Sequence, residues 1–184
     1  IRDPQITAKQ CATIDYISGG RLLPAFGLGS KISRDYTATN ISTKGRGKKA
    51  DEALEIVSRL WAEDSVTFQG EHFSYKDAVI TPKPANASIP LWIGGSSQIA
   101  VKRTARIGTG WLGGIDSPET AGAVVSGVKE ALKKTERDID DDHYGATILF
   151  RFGNQEDRSV LSTTKVITAR LGKNAKMYYL VGNT

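Results

Sequence analysis

Three short apolar runs close on glycine, and each leads, directly or after a loop, into an amphipathic stretch. That pattern limits the possible folds of this 184-residue chain more than any other feature. The runs are Arg21–Gly29, closing on Gly27-Leu28-Gly29; Ile89–Gly95, closing on Gly94-Gly95; and Gly110–Gly114, closing on Gly113-Gly114. A nearly continuous apolar run suits a strand covered on both faces. Strands that alternate with helices lie parallel, because each return to the same end of the sheet needs a crossover.

The stretches between them support helices. Residues 4–17 carry a rough apolar stripe, start at Pro4 and stop at Ser18-Gly19-Gly20. Ala50, Ala53, Leu54, Val57, Leu60 and Trp61 repeat at helical spacing and predict a helix over 50–61. Further helices are expected over 96–107, capped by Ser96 or Ser97; after Ser117-Pro118; and over 159–171. Val66–Phe68 and His72–Tyr75 flank Gln69-Gly70-Glu71 and read as a hairpin. Tyr144–Phe152 reads as one strand, Tyr178–Val181 as a last strand or turn, and the polar segment 30–47 as a long loop. Pro24, which has no N–H, is out of place in a central strand.

Composition excludes several classes. The chain is 39% hydrophobic and 24% charged, as expected of one globular domain rather than a disordered tail. No apolar run approaches the ~20 residues of a membrane span. The net charge of +5 is not gathered into a stripe of the kind nucleic acid needs. Its one local cluster, Lys44, Arg46, Lys48 and Lys49, reads as a solvated loop, with contact to an anionic ligand as the alternative. The single Cys11 makes no internal disulfide and fits a cytoplasmic protein. The opening Ile1-Arg2-Asp3-Pro4 is not a signal peptide and reads as a chain entered partway along.

The most chemical feature is Leu91-Trp92-Ile93-Gly94-Gly95-Ser96-Ser97, a buried strand that turns into a serine-capped helix. First-turn amides have no partner within their own helix, the helix dipole puts partial positive charge there, and glycine lets a phosphate come close. The plain alternative is a tight turn with a serine cap. Gly27 and Gly29 one unit earlier, and Gly113 one unit later, could border the same ligand. Trp111, flanked by glycines, is the tryptophan best placed to face it. His72 and His143 read as packing residues, no set of residues has metal-ligand spacing, and no catalytic residue stands out.

An ordered set of motifs resembles the luciferase-like monooxygenase family. It comprises Ala8–Asp15 with Ser18-Gly-Gly-Arg21, Arg46-Gly47 with Asp51–Ile56 and Leu60-Trp61, Val66–Phe73, Pro82-Lys-Pro84, Pro90–Gly95 and Gly110-Trp111. The resemblance implies an α/β fold of the TIM (β/α)8-barrel type. It is incomplete here: about four consecutive βα units and an inserted β-hairpin, forming one partial domain over 1–184. The chain is expected to be part of a longer enzyme or to pair with another chain, since a full barrel needs ~250 residues.

The resemblance also implies an oxidoreductase or monooxygenase that uses flavin mononucleotide (FMN) or the deazaflavin coenzyme F-420 on a small organic substrate. Gly94, Gly95, Ser96 and Ser97 would hold the cofactor phosphate. A non-catalytic flavin- or phosphate-binding fragment, an assembly subunit or a homo-oligomer is compatible with the same residues. Two departures stand out. Ser30-Lys-Ile-Ser33 stands where the family often has an aromatic and then an acidic residue, and Gly108-Thr-Gly-Trp111 replaces Gly-Asp-Gly-Trp.

Overall fold

The structure, a computed structural model, describes residues 2–29, 33–86, 88–152, 154, 156–171 and 179–182. Helix α1 spans Pro4–Ser18. The Asp3 side chain accepts from the amides of Gln5 and Ile6 at its start, and Gly19 closes it in the left-handed conformation (φ 68°). Strand β1 is only Ala25–Phe26, much shorter than the apolar run around it. Pro24 still contributes to the ladder, because its carbonyl accepts from Trp92 N at 3.2 Å. What proline cannot do is donate, so pairing starts one residue later.

The expected loop over 30–47 contains a short helix, α2 (Arg34–Ala38), capped by Ser33, and the next helix begins inside it. Residues 30–32, where one departure from the family falls, lie outside the described residues. Helix α3 runs Arg46–Ala62 and buries Leu54, Ile56, Val57, Leu60 and Trp61. The hairpin pairs β2 (Val66–Gln69) with β3 (Ser74–Ala78), so its turn falls later than the sequence suggests. Glu52 of α3 fixes that turn by accepting from the amides of Glu71, His72 and Phe73 at 2.9, 2.9 and 3.1 Å.

Strand β4 (Trp92–Gly94), helix α4 (Gln98–Ile107), strand β5 (Gly110–Gly113), helix α5 (Pro118–Leu132) and strand β6 (Tyr144–Ala146) follow. The four strands pair in the order β1-β4-β5-β6, all parallel. The single strand expected over 144–152 is divided. Thr147 turns its amide and hydroxyl onto the Gly113 carbonyl (3.2 and 3.0 Å), and β7 (Leu149–Phe152) pairs instead with β8 (Tyr179–Gly182). Helix α6 (Arg158–Leu171) lies between these two strands in the chain, and Tyr178 falls outside the described residues.

Two apolar clusters hold the helices to the sheet. One joins α1 and α3 to β4 through Ala8, Ala12, Val57, Leu60 and Ile93. The other joins α4 and α5 to β5 through Val101, Ala105, Trp111, Val124 and Val128. Each fully buried Leu or Val contributes about 1.5–3 kcal/mol. Trp61 adds a buried hydrogen bond from its indole to the Ala8 carbonyl (3.0 Å), which locks α3 onto α1. On the other face of the sheet the Trp92 ring lies across glycines of the next two strands. A Cβ at Gly110 would sit 2.6 Å from that ring, and one at Gly145 3.2 Å from it.

Candidate functional site

Because the four strands are parallel, their carboxyl ends share one end of the sheet, and the segments leaving them enclose a cleft of ≈ 720 Å³. Gly27 and Gly29 line it after β1, Gly94 to Ser97 at the end of β4 and beyond, Gly113 and Asp116 at the end of β5 and beyond, and Thr147 after β6. Seven of the eight residues expected at the site therefore share one cavity. The eighth, Trp111, is 1% exposed and packs outward against α4 and α5. It still bears on the site, because its indole Nε1 donates to the Gly95 carbonyl at 2.9 Å and holds the turn from behind.

The turn itself depends on glycine. Gly95 has φ 110°, which side chains rarely adopt, and a Cβ there would touch Ala100 at 3.4 Å. At Gly94 a Cβ would point toward the Gly27 Cα, 3.5 Å away, so these two exits meet closely. Ser97, not Ser96, is the N-cap of α4: its Oγ accepts from Ala100 N at 3.2 Å. Among the described residues no acceptor meets the amides of Gln98 and Ile99, the first two of that helix.

The two serine hydroxyls differ as donors. Ser97 Oγ only accepts as the cap and keeps its proton to give, whereas Ser96 Oγ donates to Asp116 Oδ1 at 2.7 Å. The anion-binding capacity of the turn therefore rests on main-chain amides and the Ser97 hydroxyl. Sequence reasoning did not single out Asp116, which stands one residue before the Ser117 cap of α5 and looks like an ordinary helix-start acid.

Two cations complete the wall. Arg46, the first residue of α3, donates from Nη1 to the carbonyls of Leu28 (3.2 Å) and Gly29 (3.0 Å) and lies 5.7 Å from the Tyr36 ring centre. Tyr36 donates to the same Leu28 carbonyl at 2.6 Å. The basic cluster read as one solvated loop therefore divides: Arg46 faces the cleft, while Lys48 is exposed beside Glu71. Arg103 of α4 is buried and forks onto Asp51 at 2.7 and 3.1 Å. Burial raises the Asp51 carboxyl, but the hydrogen bond and charge of Arg103, then of Arg106, outweigh it and hold it below its ordinary value.

Other singled-out groups lie elsewhere. His143 precedes β6 at the opposite end of the strands, packs at a 49° tilt against Trp92 (5.6 Å between centres) and shares a hydrogen bond between Nδ1 and the Thr109 carbonyl (2.9 Å). Nearby, ligand atoms of Asp140, Asp142 and His143 come within 4.8 Å of one another, a grouping the sequence reading did not foresee; exposed acids often cluster without an ion. His72 sits half-buried in the hairpin turn. Cys11 is half-buried, and burial pushes its thiol up, away from the reactive thiolate. Among the described residues no helix is long and apolar enough to cross a membrane.

Comparison with known proteins gives the lineage. The family profile described as luciferase-like monooxygenase matches residues 1–163. The chain belongs to the luciferase-like monooxygenase family. It is similar to the 5,10-methylenetetrahydromethanopterin reductase of Methanopyrus kandleri, 25% identical over an alignment of 181 positions that covers 91% of this chain and 52% of that protein.

Among solved structures, the monooxygenase RslO1 from Streptomyces bottropensis superposes with TM-score 0.79 at 22% identity, covering 96% of this chain and 55% of that one. An F420-dependent secondary alcohol dehydrogenase, in complex with an F420-acetone adduct, superposes with TM-score 0.80 at 20% identity, covering 98% and 62%. The fold is thus that of the luciferase-like TIM barrels, and the chain spans about half the length of these relatives.

Proposed function

We propose that this luciferase-like chain forms the cofactor-holding part of an oxidoreductase that uses FMN or deazaflavin coenzyme F-420 on a small organic substrate. The observation that carries the reading is the cleft of ≈ 720 Å³ at the strand exits, with the Gly94–Ser97 turn and the start of α4 in its wall. The residues fit such a group. Gly94 and Gly95 let an anion reach the main chain, the Gln98 and Ile99 amides and the α4 dipole attract it, and Arg46 adds positive charge.

Bound, a flavin or deazaflavin would supply hydride or electron transfer, which these side chains cannot perform. The chain's own contribution is to bind, orient and shield. That division of labour accounts for a cleft whose charged groups, Arg46, Arg103 and Asp116, are each already engaged by protein partners. The names of the relatives, F420-dependent or monooxygenase, support the same class. One partial barrel domain over 1–184 and a cytoplasmic setting belong to this proposal.

The test is direct. FMN and F-420 are titrated separately into the 184-residue chain, and quenching of their fluorescence is followed. Binding of either, lost in Gly95→Asp, is the expected result; equal binding by that variant removes the turn from the site. Binding without turnover of the reduced cofactor assigns the chain to the binding-fragment reading.

A further inference from the structure

A second cavity, of ≈ 200 Å³, lies by the β1 exit, between the starts of α1 and α3 and beside Tyr36 of α2. It shares part of its wall with the cleft, Phe26 to Leu28 and Arg46 among it, but none of Gly94 to Ser97 lines it. Its floor is apolar, built from Pro4 of α1, Phe26 of β1, and Ala53, Leu54 and Val57 of α3. A dry cavity of about 150 Å³ holds a benzene ring, whereas sites for drug-sized ligands run to roughly 300–1,000 Å³. The space suits one ring or a chain of similar bulk, and it is too small for a flavin.

The rim carries one sign of charge. Arg2, Arg46, Lys49 and Arg103 line the cavity, and among the described residues no carboxylate does. Arg103 is neutralised by its fork onto Asp51. The others have neutral partners. Arg2 donates to the Gln10 side-chain oxygen, Arg46 donates to main-chain carbonyls, and Lys49 lies 5.5 Å from the Phe73 ring centre. Such partners leave each unit charge in place. A cavity with apolar walls and charge of one sign concentrates counter-ions. Lys49 belongs to the basic cluster for which contact with an anion is the alternative reading.

We propose that this cavity binds a small organic acid, with an apolar body about the size of a benzene ring over Leu54 and Val57 and a carboxylate at the rim beside Arg46 and Lys49. The apolar floor recognises the body and the unpaired cations recognise the charge. The site goes beyond the cofactor reading and does not rest on it, because the Gly94–Ser97 turn and the start of α4 take no part.

Calorimetric titration at pH 7 of phenylpropionate, the neutral phenylpropanol and acetate into the 184-residue chain tests both halves of the claim. Phenylpropionate is expected to bind at least about tenfold more tightly than the alcohol, in line with one partly screened charge contact. Acetate, which has no body to bury, is expected not to bind at the same concentrations. Lys49→Met should weaken the acid several-fold and leave the alcohol unchanged. Ala53→Leu, which fills the floor, should abolish binding of the acid while FMN and F-420 titrate as they do with the wild type. Gly95→Asp should leave the acid's affinity unchanged.

Equal affinity for acid and alcohol overturns the proposal, and so does acetate binding as tightly as phenylpropionate. Acid binding that is lost in Gly95→Asp but kept in Ala53→Leu places the ligand in the cleft, which also overturns it. Binding of none of the three compounds does the same. If Ala53→Leu does not fold, the three-ligand comparison in the wild type and the Lys49→Met titrations still decide.

Discussion

The indole of Trp111 donates to the carbonyl of Gly95 at 2.9 Å, so a buried core residue on β5 braces the turn that leaves β4. The link explains why a tryptophan flanked by glycines can matter to the cleft without lining it. Trp111→Phe keeps a ring in the core but leaves the Gly95 carbonyl without its donor. Loss of that bond and of ring volume is expected to cost about 2–4 kcal/mol of unfolding free energy. FMN or F-420 binding should weaken as well, at temperatures where the variant is still folded. Denaturant unfolding and fluorescence titration check the two parts separately; intact stability would sink the bracing argument.

Gly110 and Gly145 make room for Trp92. A methyl group at Gly110 would stand 2.6 Å from the indole and 2.9 Å from the His143 carbonyl, and the second of these atoms is backbone that cannot swing aside. Gly110→Ala is therefore expected to destabilise by at least about 1–3 kcal/mol, the usual cost of overpacking. At Gly122 of α5 a Cβ would meet nothing within 4 Å, so Gly122→Ala should be neutral or should stabilise by up to about 1 kcal/mol through helix propensity. Thermal unfolding of the pair side by side distinguishes local crowding from a general intolerance of glycine replacement.

Much of this arrangement can be read from the chain. Helix α5 was legible from its Ser117-Pro118 start, and α1 from Pro4 and Gly19, because caps and breakers act locally. The glycine-ended runs marked three of the four exits that line the cleft. Contacts made at a distance left less trace. The division of 144–152 depends on Thr147 bonding to Gly113, which no apolar period reports. The length of β1 depends on Pro24 pairing through its carbonyl alone. Contact with an anion is only the alternative reading for the cluster that hides Arg46 among lysines, and the Ser96–Asp116 contact joins residues 20 apart, which no local pattern reports.

Asp51 ties α3 to α4 through Arg103, whose side chain is 3% exposed, and also reaches Arg106 at 3.0 Å. Its carboxyl is held below the ordinary value despite burial, so the sign follows. A carboxylate depressed in the folded state stabilises fully above the unfolded value, about 3.9, and loses that contribution as pH falls through the lower folded one. The melting-temperature gap between wild type and Asp51→Asn should stay level from pH 7 to about pH 5, then narrow below about pH 4. A gap that widens in acid would show that the ion pair is not its source.

Arg46 offers the sharpest separation of binding from folding. It begins α3, caps nothing by side chain at that helix, and reaches across the cleft wall to the Leu28 and Gly29 carbonyls while covering the Tyr36 ring. A guanidinium–carbonyl hydrogen bond can reach about 1.5–3 kcal/mol, but solvent at this partly exposed arginine brings it toward the low end, so Arg46→Met should lower stability only modestly. Its charge, by contrast, faces any anion bound at the exits. The variant should bind FMN or F-420 several-fold more weakly at low salt, and the difference should shrink as added salt screens the lost charge. Arg46→Lys keeps the charge but loses the planar fork, and should recover most of the binding but not the Tyr36 contact. Titrations of wild type and both variants at two ionic strengths decide it: a loss that is equal at both would place Arg46 in the scaffold and not in the cleft's electrostatics.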